Sequence, residues 1–548
     1  MRRHGSVFVI CLSLLLAAIG CGGTASNGSG NNTNGSGGGN SITAAAAARF
    51  LEQSTFGPTS GTISQVQQSG FSVFLNSQFT MSGSTFADPA STVTSMLSTQ
   101  QTLFTNALNN SDQLRQRVAL ALSEIWVTSG LTVPPQGMAP YMRLLLQDAF
   151  ANYRTLMFDV TLSPAMGRYL DMVNNDKPPA GQHANENYAR ELMQLFTLGL
   201  NQINEDGSLK LDGSGNLIPT YDQNAVEAVA RAFTGWTYPL APGGTQQKHN
   251  PAYWIGPMVA VDTNHDLTAK TLLPVNGVAV TLPSGQTSLQ DMNGALDNIF
   301  AQSSLAPFVS KQLIQHLVTS NPSPSYIQRV ATAFDSGRFS GDGATFGSGT
   351  RGDMQAVIAA ILLDDEARRG DDSTKVNGGD GHMREPILFI TGILRAFGAS
   401  SDGAAPTTNA QNQSQTPLDA PSVFNFFPPD FNIPGTSLLG PEFDLDTTAT
   451  TLVRINFINS FVFGSIGTGT TVDFTSWANL SANPNDTGQL IDSLNALLLH
   501  GGLSSSSRAA IVTAVNAVSG PAGATQNLAR AKAAIYLVLS SSQYQVEQ

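Results

Sequence analysis

The sequence predicts a mainly α-helical protein: one large multi-helix globular body with small β-hairpins and long loops, following an N-terminal signal and a flexible tether. Three observations carry this prediction. Apolar residues recur at helical spacing in stretches spread from residue 114 to residue 540, whereas strand-like patterns are confined to two short segments. The first 21 residues, MRRHGSVFVICLSLLLAAIGC, have the layout of an export signal. Residues 22–41 are almost entirely Gly, Ser, Asn and Thr, a composition that cannot bury enough apolar surface to offset the entropy of ordering.

At the N-terminus, Arg2 and Arg3 form a basic start, and Val7 to Gly20 is an apolar run. It is shorter than the roughly 20 residues a bilayer crossing takes. It ends in Ala18-Ile19-Gly20-Cys21, which resembles the lipobox of bacterial lipoproteins, with Ala18 where Leu is usual. The expectation is a signal peptide of the lipoprotein type over residues 1–20 and a lipid anchor on Cys21. A lipid chain attaches without spanning, and no later segment has the length and apolarity of a span. Gly22 stands where Asp would be a retention signal, so the resemblance to lipoprotein sorting implies the outer membrane. The lipidated Cys and tether, 21–43, would hold the body off the membrane. Cys11 and Cys21 are the two cysteines of the chain. Processing would therefore leave a body with no disulfide, no Cys-based zinc site and no thiol nucleophile.

Residues 44–548 are expected to form a single large helical domain, with 399–450 the place where a sub-domain break would fall. The net charge is −12, and loss of Arg2 and Arg3 would make it −14. An acidic chain without basic clusters argues against nucleic acid as a partner. In chain order, helical spacing marks 114–129, 141–162, 226–236, 305–320, 326–334, 353–368, 385–398 and 528–540. Ser325 after Pro324 is placed to cap the helix that Tyr326 opens, Asp353 caps the next, and Gly199, Gly337 and Gly398 follow helix ends. SLKLDGSGNLIPTY (208–221) reads as a hairpin turning at Asp212-Gly213, and GVAVTLPSG (277–285) as a second small one. The stretches 240–305 and 399–450 are rich in Pro, Gly, Asn and Thr and read as insertions or long ordered loops.

Four stretches together resemble one bacterial family. They are ENYARELMQLFTLGLNQINEDGSLKLDGSGNLIPTYDQNAVEAVARAFTGW (186–236), LIQHLVTSNPSPSYIQRVATAF (313–334), GHMREPILFITGILRAFGA (381–399) and PSVFNFFPPDF (421–431). The family is domain of unknown function 1800, and the resemblance extends over most of residues 45–548. It implies an exported protein without a settled activity. It also implies, as a partner, a second exported protein with a sulfatase-like fold. Some members carry an acidic residue where this chain has Asn185.

The densest polar stretch is HANENYARELMQLFTLGL, 183–200. Continued as one helix, it places His183, Glu186, Asn187, Arg190 and Glu191 on one arc and Leu192, Leu195 and Phe196 on the other. Glu186/Arg190 and Glu227/Arg231 are i,i+4 pairs on successive predicted helices. They read as an inter-helix charge network, a solvated face, or catalytic candidates (Glu186, Arg190, Glu191, Glu227, Arg231). For a divalent metal, the candidates are His265 and Asp266 in DTNHD with Glu186; no HExxH-like spacing accompanies them. The plainer reading is that His265 and Asp266 organise a loop. No GxSxG elbow and no Walker loop are present. DGSGN (212–216) lacks the Glu of a calcium loop, having Gln223 at that place. RGD (351–353) is explained by Asp353 as a helix cap. PSVFNFFPPDF reads either as an exposed aromatic binding patch or as a Pro-fixed plug over the core.

The leading expectation is a cell-envelope protein that binds or assembles with another exported protein or an envelope polymer, using no cofactor. The alternative is a metal-assisted hydrolase of an extracellular polymer, with Glu186 or Glu191 as base or ligand, Arg190 and Arg231 on an anion, and His265 and Asp266 as ligands.

Overall fold

Helices provide every long element of the body. A computed structural model describes residues 42–482 and 487–548. The expected signal peptide, Cys21 and all but the last two residues of the tether lie outside the described residues. Among the described residues the strands are two or three residues long and pair only as two-stranded antiparallel sheets. No described helix is long and apolar enough to cross a membrane. Ile42–Gln548 cluster as one compact unit.

Helix Leu305–Leu317 lies at the centre. Leu305, Val309, Leu313, Ile314 and Leu317 are fully buried along it, and it packs against Gln113–Ile125, Pro324–Ser336 and Met354–Leu363. The last of these, MQAVIAAILL, is apolar all round and buried nearly all round, as a helix without a polar face must be. Asp353 caps it, its carboxylate accepting the N–H groups of Gln355 and Ala356, which is the structural use of the RGD aspartate.

Several boundaries differ from those expected, each for a local reason. The 141–162 pattern is two helices, Pro135–Asp148 and Tyr153–Thr161. Asn152 is extended and accepts the N–H of Arg154, so it starts a new helix rather than continuing the old one. Ser323, not Ser325, caps Pro324–Ser336, leaving Pro324 at the first position, where its missing N–H costs nothing. The 353–368 pattern divides at Asp364, which is extended and caps a short second helix, Asp365–Arg368. The loop-like stretches each hold a helix, Ser288–Phe300 and Ala404–Asn412. Thr287 and Gln290 form a capping box that starts the first.

The first hairpin turns at Asp212–Asn216, where the Asp212 carboxylate accepts the N–H groups of Ser214 and Asn216, with Leu211 bridged to Leu217. The second pairs Lys270–Thr271 with Thr281–Leu282. Two features fix the ends of the chain near the site described below. Arg384 Nε and His500 Nε2 reach the two oxygens of buried Glu52 at 2.5 and 2.6 Å. The C-terminal strand Val546–Glu547 pairs with His382–Met383, setting Glu547 opposite His382.

Candidate functional site

The residues singled out by sequence fall into two separate settings. His183 to Glu186 are not helical; the helix is Asn187–Glu191, continued by a π-helical turn, Leu192–Thr197. The single arc from His183 to Glu191 therefore does not form. Glu186 instead sits at the start of the helix, where Arg190 Nη2 reaches its Oε2 at 2.7 Å and Gln223 Nε2 donates to its Oε1 at 2.9 Å. Glu227, on helix Gln223–Ala232, meets His183 Nδ1 at 3.5 Å and Gln223 at 3.4 Å. Arg231 turns away from Glu227. It donates to Thr268 Oγ1 and the Ala269 carbonyl and lies 3.8 Å from Asp266. Glu191 is half-buried, and burial pushes its carboxyl up against the opposing charge of Arg190.

His265 is fully buried and both ring nitrogens are occupied: Nδ1 by the Thr234 carbonyl at 2.8 Å, Nε2 by Asp291 at 2.9 Å. Lys270 Nζ bonds the same Asp291 oxygen at 2.6 Å. Asp266 accepts from the Thr268 N–H, and these bonds with the nearby cations hold its carboxyl below the usual range despite burial. This pair organises its loop. Among the described residues, the group that could converge on a cation is His183, Glu186 and Glu227, whose ligand atoms lie within 4.8 Å of one another.

The second setting contains one stretch singled out by sequence as a candidate binding patch, PSVFNFFPPDF, and otherwise residues that were not. A cleft of about 860 Å³ opens between helix Leu305–Leu317, the 194–209 segment and the 423–430 loop. Its walls carry Leu195, Leu198, Phe308, Phe424, Phe427 and Pro428; its polar lining includes Gln194, Lys311, Gln312 and Asp430. The π-helical turn presents Gln194 and Leu195 to it, in keeping with the habit of such turns at functional places. PSVFNFFPPDF serves both readings made of it: Phe427 is buried, while Phe424 is 44% exposed on the wall.

The floor is ionisable and buried. Helix Gln113–Ile125 carries Arg117 and Glu124 two turns apart, so both face the same way. Arg117 donates from Nη2 to the His316 carbonyl, and Glu124 Oε2 lies 3.1 Å from His316 Nδ1. Glu385, which precedes helix Pro386–Ala396, accepts from Gln415 Nε2, and Gln415 in turn accepts the Ile387 N–H. Glu442 Oε1 is 3.0 Å from His382 Nδ1, and Glu547 Oε2 is 3.4 Å from His382 Nε2.

Burial and mutual charge set the protonation of this floor. Burial pushes Glu124 up to about 7. Burial and the neighbouring Glu124 charge push Glu385 well above the usual carboxyl range. Burial pulls His316 down to about 4. Burial would also depress His382, but the two carboxylates on its ring outweigh this and raise it to about 10. At neutral pH the floor thus holds a neutral imidazole, an imidazolium, in Glu385 a carboxyl biased toward its protonated form and, in Glu124, a carboxyl that exchanges its proton in the physiological range. Glu442 Oε2 is buried with no hydrogen-bond partner among the described residues, while the Glu124 carboxyl meets Glu385 and Asn425 as well as His316. Glu124, His316, Asn425 and Glu442 all line the cleft. Such a floor can hydrogen-bond a ligand in either sense and can move a proton.

A family model described as "Protein of unknown function (DUF1800)" matches residues 49–546. No curated protein and no solved structure matches the chain.

Proposed function

The chain belongs to the DUF1800 family, whose model spans residues 49–546, and on that premise we propose that it is an exported, lipid-anchored envelope protein that holds an extended ligand in its cleft. The ligand would be a segment of an envelope polymer or of another exported protein, with a sulfatase-like protein the partner the family resemblance suggests. One observation carries this reading: the cleft of about 860 Å³, whose walls are largely apolar and whose floor holds the buried, unpartnered Glu442 Oε2, the usual make-up of a ligand site. Export and anchoring rest on the signal and lipobox pattern ending at Cys21. The test is a photo-crosslinking residue placed at Phe424, and separately at exposed Leu537, in the full chain in its native envelope. Adducts at 424 and not at 537 are expected. Equal yields, or none at 424, would overturn the reading.

A second reading is favoured by Glu124, which lines the cleft with a carboxyl raised to about 7 and has Glu385 as its hydrogen-bonded neighbour. It makes the protein a hydrolase of the bound polymer that works by acid–base chemistry. The metal-assisted version that uses His265 as a ligand gains no support, because His265 has no ring nitrogen left for a cation. Under the acid–base reading, Glu124→Gln abolishes turnover while crosslinking at 424 persists.

A further inference from the structure

We infer that the cleft takes a carbohydrate: a neutral, polyhydroxylated chain whose hydroxyls meet Glu124, Glu442 and Asn425 and whose ring faces lie on Phe308, Phe424 and Phe427. The inference rests on the cleft-binding reading and names the class of polymer.

The floor states what a ligand must bring. Glu442 Oε2, Asn425 Nδ2 and the Glu124 oxygens belong to residues no more than 9% exposed that line the cleft, and Glu442 Oε2 has no hydrogen-bond partner among the described residues. Leaving a buried polar atom unpaired is costly. Carboxylate oxygens need donors, and the Asn425 amide needs an acceptor. A hydroxyl supplies both from one atom. A cationic group would offer the Asn425 amide no acceptor and would meet Lys311 on the wall. The shifted floor supports the same choice. A carboxyl held near neutrality, as Glu124 is, donates and accepts, which suits an uncharged ligand better than a cation that would want it ionised.

The walls state the shape. A pyranose ring has apolar C–H faces and a polar rim. Aromatic rings beside Gln194 and Gln312 match that alternation. A peptide held in extended form would instead add to a strand edge. Among the described residues the cleft offers only single-residue bridges, at Asn201, Ile203, Leu209 and Asn425, and no strand of two or more residues for a peptide to extend.

The experiment is affinity electrophoresis of the full chain through gels containing dextran, hydroxyethylcellulose, soluble β-1,3-glucan or galactomannan. A basic polypeptide, polylysine, serves as the contrasting probe. The expected result is retardation by at least one polysaccharide, weakened tenfold or more by Phe424→Ala, a change at an exposed ring that the fold tolerates. Gln312→Ala provides a second, independent wall change. Retardation by none of the four polysaccharides, or retardation that neither variant alters, would overturn the inference. Polylysine retardation lost in Phe424→Ala would replace it with a cationic peptide ligand. The crosslinking test separates the levels: adducts at 424 without polysaccharide binding leave the cleft reading standing and remove only the carbohydrate, whereas failure of both removes both.

Discussion

The 183–231 seam and the floor of the cleft are both rich in Glu, His and Arg, yet they differ in every physical respect. At the seam, the His183 and Arg190 side chains are 67% and 40% exposed, and Arg190 pairs with Glu186 one turn away. Water competes for each of these groups, so the pair contributes little. On the floor, Arg117, Glu124, His382, Glu385, Glu442 and Glu547 are buried, and each can keep its state only through the others. The contrast teaches that density of charge along a sequence marks a solvated surface. An isolated charge within an apolar run marks a place where remote segments must meet to accommodate it.

The sharpest way to break this comparison is to remove the cation at the centre of the floor. His382→Ala would leave Glu442 and Glu547 buried with no positive partner on that ring. A loss on the order of 3–5 kcal/mol is expected, read as a fall in the urea midpoint of the full chain at neutral pH. The sign of the pH dependence follows from the raised imidazole. Its stabilisation is fully present below about 6.5 and fades as pH rises through about 10. Wild type should therefore lose stability over that window by more than His382→Ala does. A variant as stable as wild type would show that the floor is no more coupled than the seam.

Glu124 gives a smaller effect of distinctive shape. Its folded carboxyl is raised from 4.5 to about 7. The folded state thus favours the protonated form, and its contribution is present below about 4.5 and lost as pH rises through 7. The loss is on the order of 3 kcal/mol. Glu124→Gln should flatten the decline between pH 4.5 and 7 and be more stable than wild type at pH 8. Denaturation midpoints across a pH series check this; a parallel decline in both proteins would contradict it.

These two residues also show where sequence reading stops. Helical spacing alone locates the helices that matter, including Leu305–Leu317 and Pro386–Ala396, because burial of one face imposes the period. Cap chemistry places Asp353 correctly but mistakes Ser325 for Ser323, since Pro324 tolerates only the first position. The floor is a different matter. Its members come from helix Gln113–Ile125, helix Leu305–Leu317, the 382–385 segment, a turn at Pro441–Leu445 and the last strand. Glu547 reaches His382 only through a two-residue strand pair, too short for any periodic signal. A usable hint existed nonetheless. Three of the four stretches that carry the family resemblance contain His316, His382, Glu385 and Asn425, and Glu124 interrupts an otherwise apolar helix end, LALSEIWV.

At the seam, the expected effects are small. Arg190→Ala removes one exposed pair with Glu186 and should cost about 0.2–1 kcal/mol, shrinking as salt is raised from 0.05 to 0.5 M in the same urea assay. A loss comparable to that of His382→Ala would mean the seam is a buried network in solution after all.

The smallest expected effect is that of metal. His183, Glu186 and Glu227 have the spacing to converge on a cation, but Glu186 already spends both oxygens on Arg190 and Gln223. An ion would have to displace a guanidinium from one oxygen and an amide from the other, and then hold a His side chain that is 67% exposed. A closed structural site has its ligands turned inward and supported by neighbours that orient them; here the neighbours compete for them instead. Full chain purified without chelators should therefore carry well under one equivalent of metal, and EDTA should leave its urea midpoint in place. The informative control is a His183→Ala, Glu186→Ala double variant. About one equivalent of metal in wild type, lost in that variant, would reverse the comparison: the seam would become the chemical site, and the floor of the cleft the structural network beneath it.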